Sequence, residues 1–437
     1  MGSHDKDAGI AASVFGFVVS SAVCVCYGQL VKRCIRSRIQ TFLDAWVQGG
    51  TLPCAQLAIY RGDKELFYGS AGGVSRSSIF RIYSMTKPVT VVAALILVDR
   101  GLMNLDDPVS KWIPSFANMT VYVSGDETNP VTEPASRDVT IRDLMTHTSG
   151  LTYSIFGGTP VDKIIRNKIG DDWKNWFRNT PLKVLCDALG SSPLSFQPGT
   201  RWLYGFNTDV LGRVIEVVSG KSLDAFFKEE IFQPLGMRDT GFSVPPENAD
   251  RLVNCFEFTG TASVTGFVPS TAEERDRLAM PTLLSGGGGL VSTIDDYAAF
   301  AKCLLRGGTY PVHPECRFST TTARLISAKS LTLMRSNHLP GGGTLRELAM
   351  DGFSEVAGDG VGFGLGVSVL LDPTSASGGS LSGVGEYGWG GVASTWFCVD
   401  PAKDLCAVFF TQVIPSTRIQ LRSHLRWLVH WAGNEIK

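Results

Sequence analysis

Apolar positions change rhythm several times along this chain. From Arg38 to Gln48 they recur at helical spacing, with Ile39, Phe42, Leu43, Trp46 and Val47 as one stripe, until Gly49-Gly50-Thr51-Leu52-Pro53 breaks the pattern. Two strands are predicted next, Ala55–Arg61 and Glu65–Ser70, joined by the turn Gly62-Asp63-Lys64. Phe80-Arg81-Ile82-Tyr83 reads as extended. After Ser84 the rhythm becomes helical through Val91-Val92-Ala93-Ala94-Leu95-Ile96-Leu97-Val98 and stops at Arg100-Gly101, a cation in the last turn with a glycine behind it. The middle of the chain, to about Phe300, reads as helices and loops, with Val210–Val218 and Leu223–Phe232 as its clearest helices. Strand patterns return at Phe363–Leu371, Ala393–Val399 and Asp404–Gln412, and a helix over Arg418–Trp431 closes the chain. Strands at both ends with helices between predict one sheet assembled from residues 31–83 and 301–437, with a helical insertion over about 84–300. A site for chemistry belongs in the crevice between those two parts.

The first thirty residues stand apart. No charge occurs from Ala8 to Val31, and Lys32, Arg33, Arg36 and Arg38 follow at once. Residues 8–30 are long enough to span a bilayer, which takes roughly twenty apolar residues. Read as an anchor, the segment associates the protein with a membrane and puts its body on the cytoplasmic side. Cys24, Cys26 and Cys34 are then sites for palmitoylation. The rivals are a cleaved signal peptide, against which the lack of a positive start counts, and a buried or disordered leader. Asn118-Met119-Thr120 is a glycosylation sequon that matters only to a lumenal body.

Composition removes whole classes of function. The chain has 437 residues and a net charge of −1, so no basic field attracts nucleic acid and none is expected as a partner. Ten cysteines show no Cys-x-x-Cys and no zinc spacing, so neither a metal nor another cofactor is expected. Cys398 and Cys406 flank the turn Asp400–Asp404 symmetrically and are expected to face each other across a hairpin as reduced neighbours.

Candidate chemistry centres on Ser84-Met85-Thr86-Lys87. A serine and a lysine three apart on a helix share one face, so the amine can reach the hydroxyl. Serine needs such help to act as a nucleophile at neutral pH. Pro88 suits the first turn of a helix, and Ser84 is expected near that helix's N-terminus, where developing negative charge is favoured. A second Ser-x-x-Lys, Ser3–Lys6, lies in a polar terminus with no helix to organise it.

Three further segments follow in order: Leu144-Met145-Thr146-His147-Thr148-Ser149-Gly150-Leu151, Arg201-Trp202-Leu203-Tyr204-Gly205-Phe206-Asn207 and Tyr387-Gly388-Trp389-Gly390-Gly391-Val392. With Ser84-x-x-Lys87 they resemble the serine β-lactamase and penicillin-binding-protein superfamily, and within it the class C-like (family VIII type) esterases that carry Trp-Gly-Gly for Lys-Thr-Gly. The resemblance runs from about residue 38 to the C-terminus. It implies an α/β fold of the β-lactamase/transpeptidase-like kind, an antiparallel sheet flanked by helices with a mostly helical inserted subdomain. It makes Ser84 the acylated nucleophile and Tyr204 the general base, coupled to Lys87 as one acid–base unit. The oxyanion hole would be the backbone N–H groups of Ser84 and Val392. Trp389, Gly390, Gly391 and Phe206 would line the substrate site, with the two glycines leaving room for a close approach. His147 reads as a loop-positioning residue, and Ser285 with Gly286–Gly289 as a flexible turn near the site.

Departures from the superfamily's pattern narrow the expectation. Phe206 stands where a class C β-lactamase has the asparagine of Tyr-x-Asn, and Trp389 replaces the lysine of Lys-Thr-Gly. Both changes trade a polar handle for an aromatic wall, which favours neutral, apolar acyl groups on a small-molecule ester. The expected function is therefore ester hydrolysis or acyl transfer through a Ser84 acyl-enzyme. A peptidase or D-amino-acid amidase, or a weak β-lactamase, is the alternative within the fold, and a membrane-tethered scaffold or sensor is the non-enzymatic one.

Overall fold

Gly62, with φ +51°, turns the chain back so tightly that strand β1 (Ala55–Arg61) pairs antiparallel with β2 (Lys64–Ala71) through a two-residue connection. Five more strands, β3 (Val361–Phe363), β4 (Ser368–Leu370), β5 (Tyr387–Gly390), β6 (Trp396–Asp400) and β7 (Leu405–Phe410), complete a seven-stranded sheet in the order β3-β4-β5-β6-β7-β1-β2. Every pairing in it is antiparallel, including β1 against β7, which joins the two ends of the chain. This computed structural model describes residues 32–154, 157–170, 180–259, 266–270, 277–312, 321–350, 358–375, 381–418 and 421–436. The segment 8–30, with Cys24 and Cys26, and the second motif Ser3–Lys6 lie outside the described residues, and among those described no helix is long and apolar enough to cross a membrane.

The period of two along each strand divides the core. Leu57, Ile59, Ala407 and Phe409 face one side of the sheet, where Ile35, Ile39 and Leu43 of helix α1 (32–48) meet Leu421, Leu425 and Leu428 of the closing helix. Ala58, Tyr60, Val408 and Phe410 face the other side, toward the large core that contains helix α2 (Thr86–Asp99). Helix α2 is buried at every position from Thr86 to Leu97, as a helix apolar all round should be. It ends as its sequence predicts, with Gly101 left-handed at φ +72°. Helix α4 (Asn207–Ser219) packs against α2 in the insertion and α3 (Ile141–Thr146) packs against α4, while α5 (Ile294–Leu305) lies across β1, β6 and β7.

Several elements differ from expectation, each for a local reason. The seam of α1 is Ile35–Ile39–Leu43 at a spacing of four, so Phe42 turns outward, 46% exposed, against the edge of Trp46. The run Phe363–Leu371 is a hairpin and not one strand. A Cβ on Gly364 would lie 2.1 Å from the Met334 carbonyl, and Gly366 at φ +73° makes the return. Tyr387–Gly390 is itself a strand. Residues 391–395 form the turn behind it, so β6 starts at Trp396 rather than Ala393. In the β6–β7 hairpin Cys406 stands opposite Val399 and Cys398 opposite Ala407. A register one residue from symmetry flips faces, so the two thiols point to opposite sides of the sheet and do not face each other. The insertion also holds a hairpin, Thr120–Gly125 with Pro130–Pro134.

The closing helix α6 (Leu421–Glu435) is fastened to the sheet by buried charge. Glu386 accepts from His430 and pairs with Arg426 at 2.8 Å, and Cys398 lies beside them. Arg426 helps hold the Glu386 carboxyl below the usual range against the opposing effect of burial.

Because Leu95 sits in α2 with no solvent exposure, Leu95→Ala should cost about 2–5 kcal/mol in urea or thermal unfolding. A loss under about 1 kcal/mol would contradict this placement of α2.

Candidate active site

Ser84 is placed by a short strand and a strained turn. Phe80–Arg81 pairs antiparallel with Val291–Ser292, and the chain then enters a single 3₁₀ turn, Tyr83–Met85, before α2 begins. Tyr83 has φ 44°, a left-handed conformation that a large side chain adopts only when its surroundings enforce it. Here Met85 N–H donates to the Ile82 carbonyl at 3.0 Å, and the Tyr297 hydroxyl donates to the Met85 carbonyl at 2.8 Å. The Thr86 hydroxyl accepts from Leu290 N–H at 3.1 Å. Ser84 thus precedes α2 in a turn of its own, half-buried, and caps nothing.

Lys87, one turn on, has no solvent exposure. Its ammonium donates to the Gly287 carbonyl at 2.7 Å and the Tyr153 hydroxyl at 2.8 Å, and reaches Ser84 Oγ at 3.5 Å. It also lies 4.5 Å from the ring centre of Tyr204 and 5.1 Å from that of Tyr153, within cation–π range of both. Lys87 therefore joins Ser84 to Tyr204, as the sequence led one to expect, and also to Tyr153 and Gly287, which the sequence reading left out. Gly286–Gly289 is no loose turn. A Cβ on Gly286 would lie 2.5 Å from the Thr208 carbonyl, and one on Gly287 would lie 2.4 Å from Asp209 Oδ2. Only bare backbone fits there. The Tyr153 phenol is pushed well above its ordinary range by burial, then by Asp209 and Tyr204. The one signal for Tyr153 was its position, two residues beyond the Leu144–Leu151 segment.

Tyr204 arrives on the segment ahead of α4. Leu203 N–H donates to the His147 carbonyl at 2.9 Å, and a Cβ on Gly205 would lie 2.2 Å from the Leu151 carbonyl, so this segment and the Tyr153 loop touch backbone to backbone. The Tyr204 ring packs against Trp202, stacked at 5.9 Å, and His147 at 4.8 Å, and those two rings also touch each other at 5.9 Å. His147 is wholly buried and exchanges a hydrogen bond with Asn207 through Nδ1 at 2.9 Å. Burial first, then the Lys87 charge, holds its pKa well below 6.5, which makes it a neutral packing partner.

The strand β5 supplies the far wall. The Trp389 indole N–H donates to the Tyr204 hydroxyl oxygen at 3.1 Å, so this aromatic wall retains a polar handle, aimed at the tyrosine. Phe206 has no exposure and packs edge-on against Tyr153 at 4.7 Å, which places it behind the site surface. Gly390 and Gly391 answer to the protein's own packing. A Cβ on Gly390 would meet the Arg422 guanidinium at 2.5 Å, and one on Gly391 the Ile82 carbonyl at 2.5 Å. Thr395 Oγ1 donates to that same Ile82 carbonyl at 3.3 Å, which ties the turn carrying half-buried Val392 to the backbone two residues before Ser84.

Comparison with known proteins gives the family. A sequence model of the family described as Beta-lactamase matches residues 35–429. Protein Rv1367c of Mycobacterium tuberculosis is 32% identical over 362 residues, 79% of this chain and 80% of that one. Esterase EstB of Burkholderia gladioli is 33% identical over 365 residues, 81% and 82% of the two chains. The solved structure of EstCE1, described as a hydrolase with promiscuous acyltransferase activity, superposes with a TM-score of 0.71 at 23% identity, covering 92% of this chain and 99% of that one. The chain belongs to the beta-lactamase family. Within it, it is an enzyme of the serine hydrolase and acyltransferase kind.

The state of His147 has a sign that can be checked. A histidine neutral when folded takes up a proton on unfolding below about pH 6.5, so its contribution to stability is present above that pH and is lost as the pH falls. His147→Gln should therefore flatten the fall in unfolding free energy between about pH 6.5 and 5, by up to about 1.4 kcal/mol per pH unit. An unchanged slope in urea unfolding at several pH values would mean that His147 is charged in the folded protein.

Proposed function

We propose that the chain cleaves carboxylic esters, or transfers their acyl groups, through an acyl-enzyme on Ser84. The observation that carries this is the half-buried Ser84 hydroxyl 3.5 Å from the solvent-shielded Lys87 ammonium, with the tyrosine rings of Tyr153 and Tyr204 against that same cation. Esterase and acyltransferase names among the relatives support the same reading, lovastatin esterase of Penicillium rubens included, at 29% identity over 404 residues.

In this mechanism Ser84 Oγ bonds to the ester carbonyl carbon while its proton passes to Tyr204, which acts as a phenolate beside the Lys87 cation. The carbonyl oxygen takes the negative charge and is met by the backbone N–H groups of Ser84 and Val392. Collapse breaks the carbon–oxygen bond to the alcohol, which leaves with the proton held by Tyr204. Water, or a second alcohol, then repeats the sequence in reverse, and the choice between them separates hydrolysis from transfer. Trp389 keeps the Tyr204 oxygen aimed by donating to it, and that bond is strongest while the oxygen is the phenolate that takes the serine proton. The aromatic residues Tyr153 and Trp389, with Phe206 packed behind Tyr153, suit a neutral, apolar acyl group on a small molecule.

Two measurements with a short-chain p-nitrophenyl ester test this. Ser84→Ala should abolish turnover, and Tyr204→Phe should lower kcat by about 10²–10⁴-fold. Full turnover by Ser84→Ala would sink the reading. Trp389→Phe keeps the ring but removes the donor, and should lower kcat/KM about 10–100-fold, the worth of one hydrogen bond to a charged group. Equal kcat/KM in that variant would remove Trp389 from the chemistry.

A further inference from the structure

Asp209 stands out as a buried carboxylate that the mechanism above does not use. It lies in the first turn of α4, 1% exposed. An acid in a first helical turn ordinarily faces solvent and answers the helix dipole. This one is turned inward onto another segment. Its Oδ1 accepts from the Ser285 hydroxyl at 2.5 Å and from Gly287 N–H at 3.1 Å. Gly287 in turn presents its carbonyl to the Lys87 ammonium at 2.7 Å. A side chain at residue 287 would strike Asp209 Oδ2 at 2.4 Å and the Tyr153 hydroxyl at 2.9 Å, so Gly287 is held between the carboxylate, the phenol and the cation.

The charges point the same way. Among the described residues, the hydrogen-bond acceptors around Lys87, from Ser84, Tyr153 and Gly287, are all neutral oxygens. A buried cation so placed is costly unless negative charge lies near. Asp209 feels the Lys87 charge directly, which offsets part of the upward push of burial on its carboxyl. Around it stand Tyr153, from the loop after α3, and Cys186, from the helix Leu182–Gly190. Arg213 lies one turn along α4, paired with Glu216.

Resting on the acyl-enzyme reading of the site, we propose that Asp209 is a positioning residue: it fixes Lys87 through Gly287 and supplies the buried negative charge that keeps the ammonium beside Ser84 and the two tyrosines. It touches no reacting atom. Its effect is on the proton inventory of the Lys87–tyrosine cluster. Removing its charge makes neighbouring groups easier to deprotonate, so a purely architectural role and a charge role leave different traces.

Asp209→Asn retains an oxygen for Gly287 N–H but not the charge. With a p-nitrophenyl ester, kcat should fall about 10–100-fold, with KM within about threefold, and the acid limb of the kcat/KM profile should move to lower pH. A kcat within threefold of the wild type, or a lowered kcat with the limb unmoved, would overturn the proposal. Near-ultraviolet difference titration of tyrosinate, which needs no substrate, gives an independent readout. A buried tyrosine should ionise at lower pH in Asp209→Asn than in the wild type, and Tyr153→Phe should remove that step. Identical titrations would overturn the proposal. A wild type that turned over no ester would refute the acyl-enzyme reading alone, and the titration would still decide on Asp209. Should Asp209→Asn not fold, Ser285→Ala loosens the carboxylate while leaving its charge. It should lower kcat several-fold at constant KM, and an unchanged kcat would overturn the proposal.

Discussion

An ammonium group shut away from water must find its partners inside the protein, and this constraint on Lys87 organises everything around it. Desolvating such an ion costs several kcal/mol even after the protein relaxes. Lys87 meets that cost with a carbonyl at 2.7 Å, a phenol at 2.8 Å, two aromatic faces and the serine hydroxyl. Each partner comes from a different stretch of chain: Ser84 from the turn before α2, Tyr153 from the loop after α3, Tyr204 from the approach to α4, and Gly287 from the glycine run. The cation therefore acts as a local staple for the insertion as well as a chemical group. A charge that no solvent screens also acts strongly on neighbouring oxygens, which is what a serine nucleophile needs.

The sheet contributes by holding β5 against the other side of the same cluster. Trp389 of β5 reaches Tyr204 of the insertion, and the 391–395 turn is hooked to Ile82 beside Ser84. The close approach depends on glycine at residues 390 and 391, where a Cβ would meet Arg422 and Ile82. Sheet and insertion are thus joined where the chemistry is, and the strain visible at Tyr83 lies at that junction.

Much of this was legible in sequence. The hairpin β1–β2, the apolar helix after Ser84 and the return to strands near the C-terminus follow from periodicity and turn residues. The four ordered motifs identified the family, and the Ser84–Lys87 pair follows from their spacing on one helical turn. What was not legible depends on long-range contact. Tyr153 carries no motif, and only the folded approach of its loop to Lys87 gives it a place. Asp209 reads as an ordinary first-turn acid until the glycine run is seen packed on it. Gly286–Gly289 reads as flexible because composition does not report that every Cβ position along part of it is occupied. The facing of Cys398 and Cys406 was misjudged by a single residue of register, and one residue is enough to reverse a side chain. Trp389 was legible as an aromatic wall, but its hydrogen bond to Tyr204 required the geometry.

The central claim is that Ser84 carries the acyl group, and intact-mass spectrometry of the protein quenched during turnover of a p-nitrophenyl ester tests it most directly. The account predicts an added mass equal to one acyl group, mapped by peptide analysis to Ser84 and accumulating further when Tyr204→Phe slows its release. Turnover accompanied by an adduct on another residue, or by none in either protein, would contradict it.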